Sequence, residues 1–382
     1  MVITARALNR STLARQLLLG REPLDVADGV RRVVALQAQQ PASPYVALWN
    51  RLSGFDPADL DTAVAGLQAV KATLMRITLH LVHAEDYRAF REAVEPTLRG
   101  SRLGDSRFTA SGLTAADADA VVPDLLKYAD GPRTTAEVRD WLAERLGVPI
   151  EPVTWRMLRQ YAPLWHAPVG GPWSFDNQQS YLAAATRPVL ADPDAAAGGL
   201  QILIRRYLEG FGPASVADMA QFALVQKARV RAAVQALDAD LEQLEGADGT
   251  VLYDVPGAPR PAEDTPAPPR LMAMWDSILL AYADRSRVIP PEYRKQVTRI
   301  NGDVLPTLLV DGYVAGVWRP VEGGIEASAF LPLPEEVWRG LAAEAESLTG
   351  LLADRDPRAY GRYDHWWRKG MPAAETRLLP GG

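Results

Sequence analysis

Apolar and polar positions recur with helical spacing from residue 1 to about 255, where Ala, Leu and Arg dominate and short turns intervene. Val26, Val30 and Val33 stand four and three residues apart, forming one apolar stripe, and the next member of that stripe is Gln37. Two proline-rich breaks interrupt the helical region. One surrounds Pro188 and Pro193; the other spans 256–269, with six prolines in fourteen residues. That density prevents regular structure and marks a linker or a long surface loop. Beyond it the period shortens. Residues 304–310 and 313–318 read as two strands around Asp311-Gly312, because Asp-Gly supplies the positive φ of a tight hairpin turn. A helix over about 334–352 follows in this β-rich last third.

The helical region contains a repeat. Gly131-Pro132-Arg133-Thr134-Thr135-Ala136-Glu137-Val138 aligns with Gly212-Pro213-Ala214-Ser215-Val216-Ala217-Asp218-Met219 at an offset of 81, and an aromatic follows three residues later in each, Trp141 and Phe222. Each copy sets a hydroxyl three residues before an acid, the arrangement that caps the free amides of a helix start. A second helix bearing Lys227, Arg229 and Arg231 follows the later copy, which predicts a helix-turn-helix or a plain helical hairpin.

Composition narrows the chemistry. A chain of 382 residues, 48% hydrophobic and 23% charged, predicts two or three globular domains. No apolar run approaches the ~18 residues of a spanning helix, and the opening MVITARALNR lacks a secretory apolar block, so a cytoplasmic location is expected. With no Cys and four His, disulfides, thiolate zinc sites and thiol nucleophiles are excluded. Neither GxxxxGK[ST] nor a helix-opening GxGxxG occurs, which argues against nucleotide-driven chemistry. The net charge of −6 argues against a nucleic-acid partner, but it is unevenly spread. Residues 1–40 hold six Arg against three acids, 285–299 five cations against one acid, and 237–264 eight acids against one cation. Such blocks suit one cationic and one repelling face, or an evenly solvated surface.

Gln37 is the informative residue, because a polar amide on an apolar stripe either bonds to backbone or faces a wet cleft; buried without partners it would cost about 1–3 kcal/mol. On a continuing helix Gln37 and Gln39 would diverge, yet Pro41 disfavours helix at Gln40. In an extended chain the two amides share a side. The alternative is a helix terminus whose glutamines satisfy loose backbone groups. His80 and His83 are a weak candidate metal pair, Asp276 is a candidate assisting base or a turn cap, and His365-Trp366-Trp367-Arg368-Lys369 is a candidate stacking surface or tail packing.

Four segments together resemble the AlkZ-like winged-helix DNA glycosylases across nearly the whole chain: Gln37-Ala38-Gln39 with the Pro-x-Ser-Pro-Tyr run after it, Thr78-Leu79-His80-Leu81-Val82, Tyr207-Leu208-Glu209-Gly210-Phe211-Gly212-Pro213-Ala214-Ser215, and Leu309-Val310-Asp311-Gly312-Tyr313-Val314-Ala315-Gly316-Val317-Trp318-Arg319. The resemblance implies an α+β, mainly helical fold. It implies tandem winged helices around a concave channel, with a Gln-x-Gln region at 1–120, further units at 121–192 and 193–256, and a C-terminal β-barrel with a basic hairpin and terminal helix at 257–382. It also implies that Gln37 and Gln39 are catalytic, with Ala38 smaller than the residue often found between them, and that the chain is of the two-glutamine, crosslink-unhooking type.

The implied reaction suits the residues. An N7-alkylated guanine is cationic, so its departure neutralises it and needs no acid; amide oxygens can orient water and stabilise developing positive charge. An amide is too weakly basic to take the proton, and the acceptor stays unnamed. Relatives carry a hairpin near 285–299, where Arg285, Arg287, Arg294, Lys295 and Arg299 bracket an apolar, proline-containing tip and are the expected DNA contacts; a mobile solvated loop is the other reading. The expectation is thus a monofunctional DNA glycosylase, without metal or cofactor, acting as a monomer on double-stranded DNA with alkylated or crosslinked purines, in repair and self-resistance to a DNA-alkylating natural product. A dimeric winged-helix regulator or a protein-interaction scaffold are the alternatives.

Overall fold

The computed structural model describes residues 2–175 and 179–380. Its helices begin where local chemistry favours them. Asp25, Asp56 and Asp192 accept hydrogen bonds from first-turn amides, and Pro57, Pro152 and Pro193 open helices where a missing N–H costs nothing. Thr134 and Ser215 each complete a capping box, with Glu137 and Asp218, so the aligned helix starts are one local structure used twice.

One order of elements occurs three times: helix, short strand, two helices, hairpin. First come Val26–Arg32, Leu36–Gln37, Ser43–Trp49, Pro57–Ala65, then Ala69–Thr73 with Leu79–His83. Next come Ala115–Tyr128, Arg133–Thr134, Thr135–Leu146, Pro152–Tyr161, then Leu164–Ala167 with Ser180–Ala183. Last come Pro193–Phe211, the bridge residue Ala214, Val216–Ala223, Lys227–Ala236, then Glu242–Gly246 with Val251–Asp254. Each time the short strand or bridge runs antiparallel to the second hairpin strand. The edge of the first hairpin strand is covered in every case, which removes a template for aggregation. Ala69–Thr73 pairs with Leu164–Ala167, fusing two sheets into one of six strands, and Val2–Ile3 lies parallel to Glu242–Gly246. The long Ala84–Leu103 and Pro193–Phe211 helices pack closely at Gly199, where a Cβ would overlap the Ala89 carbonyl.

The C-terminal region is β-rich, as expected, but it is not a barrel. Its antiparallel strands run Arg270–Leu271, Thr307–Val310, Tyr313–Val321, Gly324–Ala329, Glu375–Pro380, and the two end strands do not pair. Closure requires the last strand to reach the first. Here the first has only two residues, and the Glu335–Ala353 helix packs against both end strands. Asp311 and Gly312 make the predicted turn with φ of 48° and 83°. The 256–269 stretch is irregular, and its backbone accepts from Arg10 and Arg15.

Part of the basic N-terminal block is used inside the fold. Arg15 and Asp254 form a fully buried bidentate pair at 2.6 and 2.8 Å, and Arg10 pairs with Asp311. One basic N-terminal residue, Arg15, is thus neutralised inside the molecule by one residue of the acidic block, Asp254. Among the described residues, no helix is long and apolar enough to cross a membrane.

Candidate active site

The ambiguity at Gln37 is resolved by the chain leaving the helix early. Val26–Arg32 ends at Val33, Val34 turns with φ 74°, and Leu36–Gln37 enters the sheet opposite Leu81 and His80. Just past this strand Ala38 is buried, its amide bonded to the Leu79 carbonyl at 2.8 Å, while Gln37 and Gln39 line one cavity of about 650 Å³. The Gln39 Oε1 accepts from the Leu79 amide at 3.0 Å.

Gln37 is held by a residue that the sequence reading passed over. The hairpin turn between Ala69–Thr73 and Leu79–His83 places Arg76 and Ile77 in the left-handed region, φ 53° and 57°. Non-glycine residues rarely occupy it, and such strain concentrates at working sites. The turn returns the Arg76 guanidinium to the cavity. There it donates to Gln37 Oε1 at 2.8 Å, to His80 Nε2 at 3.1 Å and to the Phe222 carbonyl at 3.2 Å, and lies 5.4 Å from the Phe222 ring centre. Burial, with Arg285 nearby, lowers its pKa to about 10, so it stays cationic at neutral pH. Burial first, then Arg76, holds His80 well below its ordinary value. Neutral His80 accepts at Nε2, which leaves Nδ1–H to donate to the Thr78 carbonyl at 3.2 Å.

The opposite wall comes from the C-terminal region. Trp275, itself at φ 53°, donates its indole N–H to the Gly302 carbonyl at 3.0 Å and meets Tyr363 edge-on at 5.6 Å. Asp303 lies on this wall, its Oδ2 accepting from Trp366 Nε1 and Asn301 Nδ2, both at 2.9 Å. Arg362 and His365 complete the rim. The cavity is thus open and of mixed polarity, with two fixed amides on one side and aromatic, cationic and carboxylate groups on the other.

A sequence profile of the AlkZ-like DNA glycosylases matches residues 30–351, most of the chain. This chain belongs to that family. It is 26% identical over 347 residues to the interstrand DNA cross-link repair glycosylase of Streptomyces sahachiroi, covering 83% of this chain and 88% of the relative. The solved structure of DNA glycosylase AlkZ from the same organism superposes with a TM-score of 0.76 at 23% identity, covering 94% and 98% of the two chains. Membership brings DNA as the substrate class.

Other expected residues of this AlkZ-like protein are placed unevenly. No β-hairpin forms over 285–299; the segment folds as turns Arg285–Arg287 and Pro291–Tyr293 and the helical turn Arg294–Val297, since Pro290 and Pro291 have no N–H for a ladder. Arg294 and Lys295 are exposed. Arg285 donates to Thr298 Oγ1 at 3.0 Å, and Arg299 stacks on Trp366 at 4.3 Å. Arg287 is tied into the fold, donating to the Pro213 carbonyl at 2.8 Å and lying 4.0 Å over Tyr282. Asp276 is not an assisting base: it is sealed in a bidentate pair with Arg51, both contacts at 2.8 Å, and caps a turn. His80 and His83 stand three apart on a strand and so face opposite ways, and His83 caps the Ala84–Leu103 helix. Trp366 and Trp367 are buried, while His365 reaches the cavity. The missed signals were Arg76, a lone cation in the apolar run Leu74-Met75-Arg76-Ile77, and the Asn301-Gly302-Asp303 turn.

Proposed function

We propose that this protein is a monofunctional DNA glycosylase that hydrolyses the N-glycosidic bond of N7-alkylated purines in duplex DNA, interstrand crosslinks included. One observation carries the reading: Gln37, at the end of a strand, and Gln39, two residues on, line a single open cavity with each carbonyl held by one donor. A carbonyl oxygen has two lone pairs, so each fixed amide retains an acceptor for water or for positive charge at the anomeric carbon. Such preorganised dipoles serve a cationic leaving group, which departs without acid assistance, and serve a neutral damaged base poorly.

The described residues lining the cavity include no lysine, which agrees with hydrolysis rather than amine-mediated strand cleavage. The breadth and openness of the site suit a bulky or crosslinked nucleotide that a tight base-flipping pocket would refuse. We assign the thrice-repeated order of elements to winged helices in a protein that binds DNA as a monomer, with Arg285, Arg294, Lys295 and Arg299 beside the cavity toward phosphates.

The test is incubation with duplex DNA carrying N7-methylguanine, scored as abasic sites. Gln37→Ala and Gln39→Ala each lose most cleavage while melting like wild type. Full activity in the double variant removes the assignment, and binding without any base release by the wild type makes the chain a binding protein.

A further inference from the structure

The two glutamines leave one step without a residue. Water that attacks the anomeric carbon must lose a proton, and an amide is too weak a base to take it. Resting on the glycosylase reading above, we propose that Asp303 is a catalytic residue that accepts this proton and, as an anion, stabilises the cationic sugar.

Among the described residues lining the cavity, Asp303 is the sole carboxylate. Its Oδ2 is fixed by the Trp366 indole and the Asn301 amide, and its Oδ1 receives no hydrogen bond from the described residues. One oxygen is therefore anchored and the other is free to accept. The loop carrying it is held from several directions. Thr298 bridges Val304, the Arg299 amide donates to the Asp303 carbonyl at 2.8 Å, Trp275 donates to Val304 and Gly302, and Gly302 takes the left-handed φ of 89° that the tight turn requires. A carboxylate on so constrained a loop needs little reorganisation during reaction. Asp276, the carboxylate that sequence reading singled out, has both oxygens engaged by Arg51.

The step balances. The bond from the anomeric carbon to N9 breaks, and its electron pair passes into the purine and cancels the charge carried through N7. Positive charge migrates to the deoxyribose, where the Asp303 anion offsets it. The water oxygen bonds to the anomeric carbon, its O–H bond breaks, and the proton moves to Asp303 Oδ1 before release to solvent. His365 shares the cavity, but an imidazole side chain carries no negative charge to oppose the sugar cation.

Single-turnover release of N7-methylguanine from duplex DNA decides the matter, measured with DNA affinity and melting temperature. Asp303→Asn preserves the shape and the acceptor for Trp366, so the fold is kept. It is expected to lower the rate about 100-fold or more, the scale of a general base. DNA affinity stays equal or tightens, since a negative charge is removed near phosphates. Asp303→Ala is expected to be accelerated by added formate, a small carboxylate that can enter the vacated space, whereas Gln37→Ala is not. A wild-type rate in Asp303→Asn overturns the role of Asp303 alone and leaves the glutamines in place. A loss that formate does not restore, with weaker DNA binding or lower melting temperature, also overturns it. No base release by the wild type overturns both readings at once.

Discussion

Replacing Arg76 with methionine removes the guanidinium while keeping an apolar stem against Phe222. The structure sets the scale of the loss. Arg76 donates a charge-assisted hydrogen bond to Gln37 Oε1 at 2.8 Å, and such bonds contribute about 1.5–3 kcal/mol. If that energy serves to fix the Gln37 amide in its reactive orientation, the rate of base release falls about 10- to 150-fold. Single-turnover kinetics on an N7-methylguanine duplex measure it. The double variant Arg76→Met, Gln37→Ala should be no slower than Gln37→Ala alone, because both remove one interaction. A second readout is independent of activity. Burial and then the Arg76 charge hold His80 in its neutral form, so Arg76→Met raises the His80 pKa, which NMR titration follows. A wild-type rate in Arg76→Met, or losses that add in full with Gln37→Ala, refutes the idea that Arg76 acts through that glutamine.

Asp276→Ala leaves Arg51 buried without its partner and should cost about 3–5 kcal/mol, seen as a lower melting temperature; a slower rate per folded molecule at unchanged stability would contradict this. The double variant Arg294→Ala, Lys295→Ala should weaken DNA binding and reduce the salt slope by about 0.9 per lost phosphate contact, whereas Arg287→Ala should act on stability instead; equal salt slopes in both variants would argue against this division. His80 and His166 are both held well below 6.5, His80 by burial and Arg76, His166 by burial and Lys71. The unfolded chain takes up their protons near pH 6.5 and the folded one does not. Stability is therefore full above that pH and declines as pH falls below it, by up to about 1.4 kcal/mol per unit for each group. Urea unfolding between pH 5 and 7.5 checks this, and a flat profile would rule out buried neutral histidines.

Several features were legible because they depend on neighbours in the chain. The capping boxes at Thr134 and Ser215, the Asp311-Gly312 turn, the irregular proline stretch and the Glu335–Ala353 helix all follow from residues within a few positions of one another. Gln37 and Gln39 were legible only as alternatives: the sequence marked Gln37 as a polar residue on an apolar stripe, and the early helix end at Val33 with the turn at Val34 decided that both line one cavity.

What lies opposite came only with the fold. Gln37 meets Arg76 across a separation of 39 residues, through a left-handed turn that no propensity favours, and Asp303 reaches the far wall on a loop pinned by Trp275 and Trp366. Arg15 and Asp254, from a basic and an acidic stretch 239 residues apart, meet as a buried pair that neither stretch announced. The expected C-terminal barrel failed for a similar reason, since closure depends on whether two distant edge strands meet or a helix packs between them. Backbone preference acts over a few residues and is written locally, whereas hydrogen-bond partners and ion pairs are selected by proximity in space, which only the packed chain supplies.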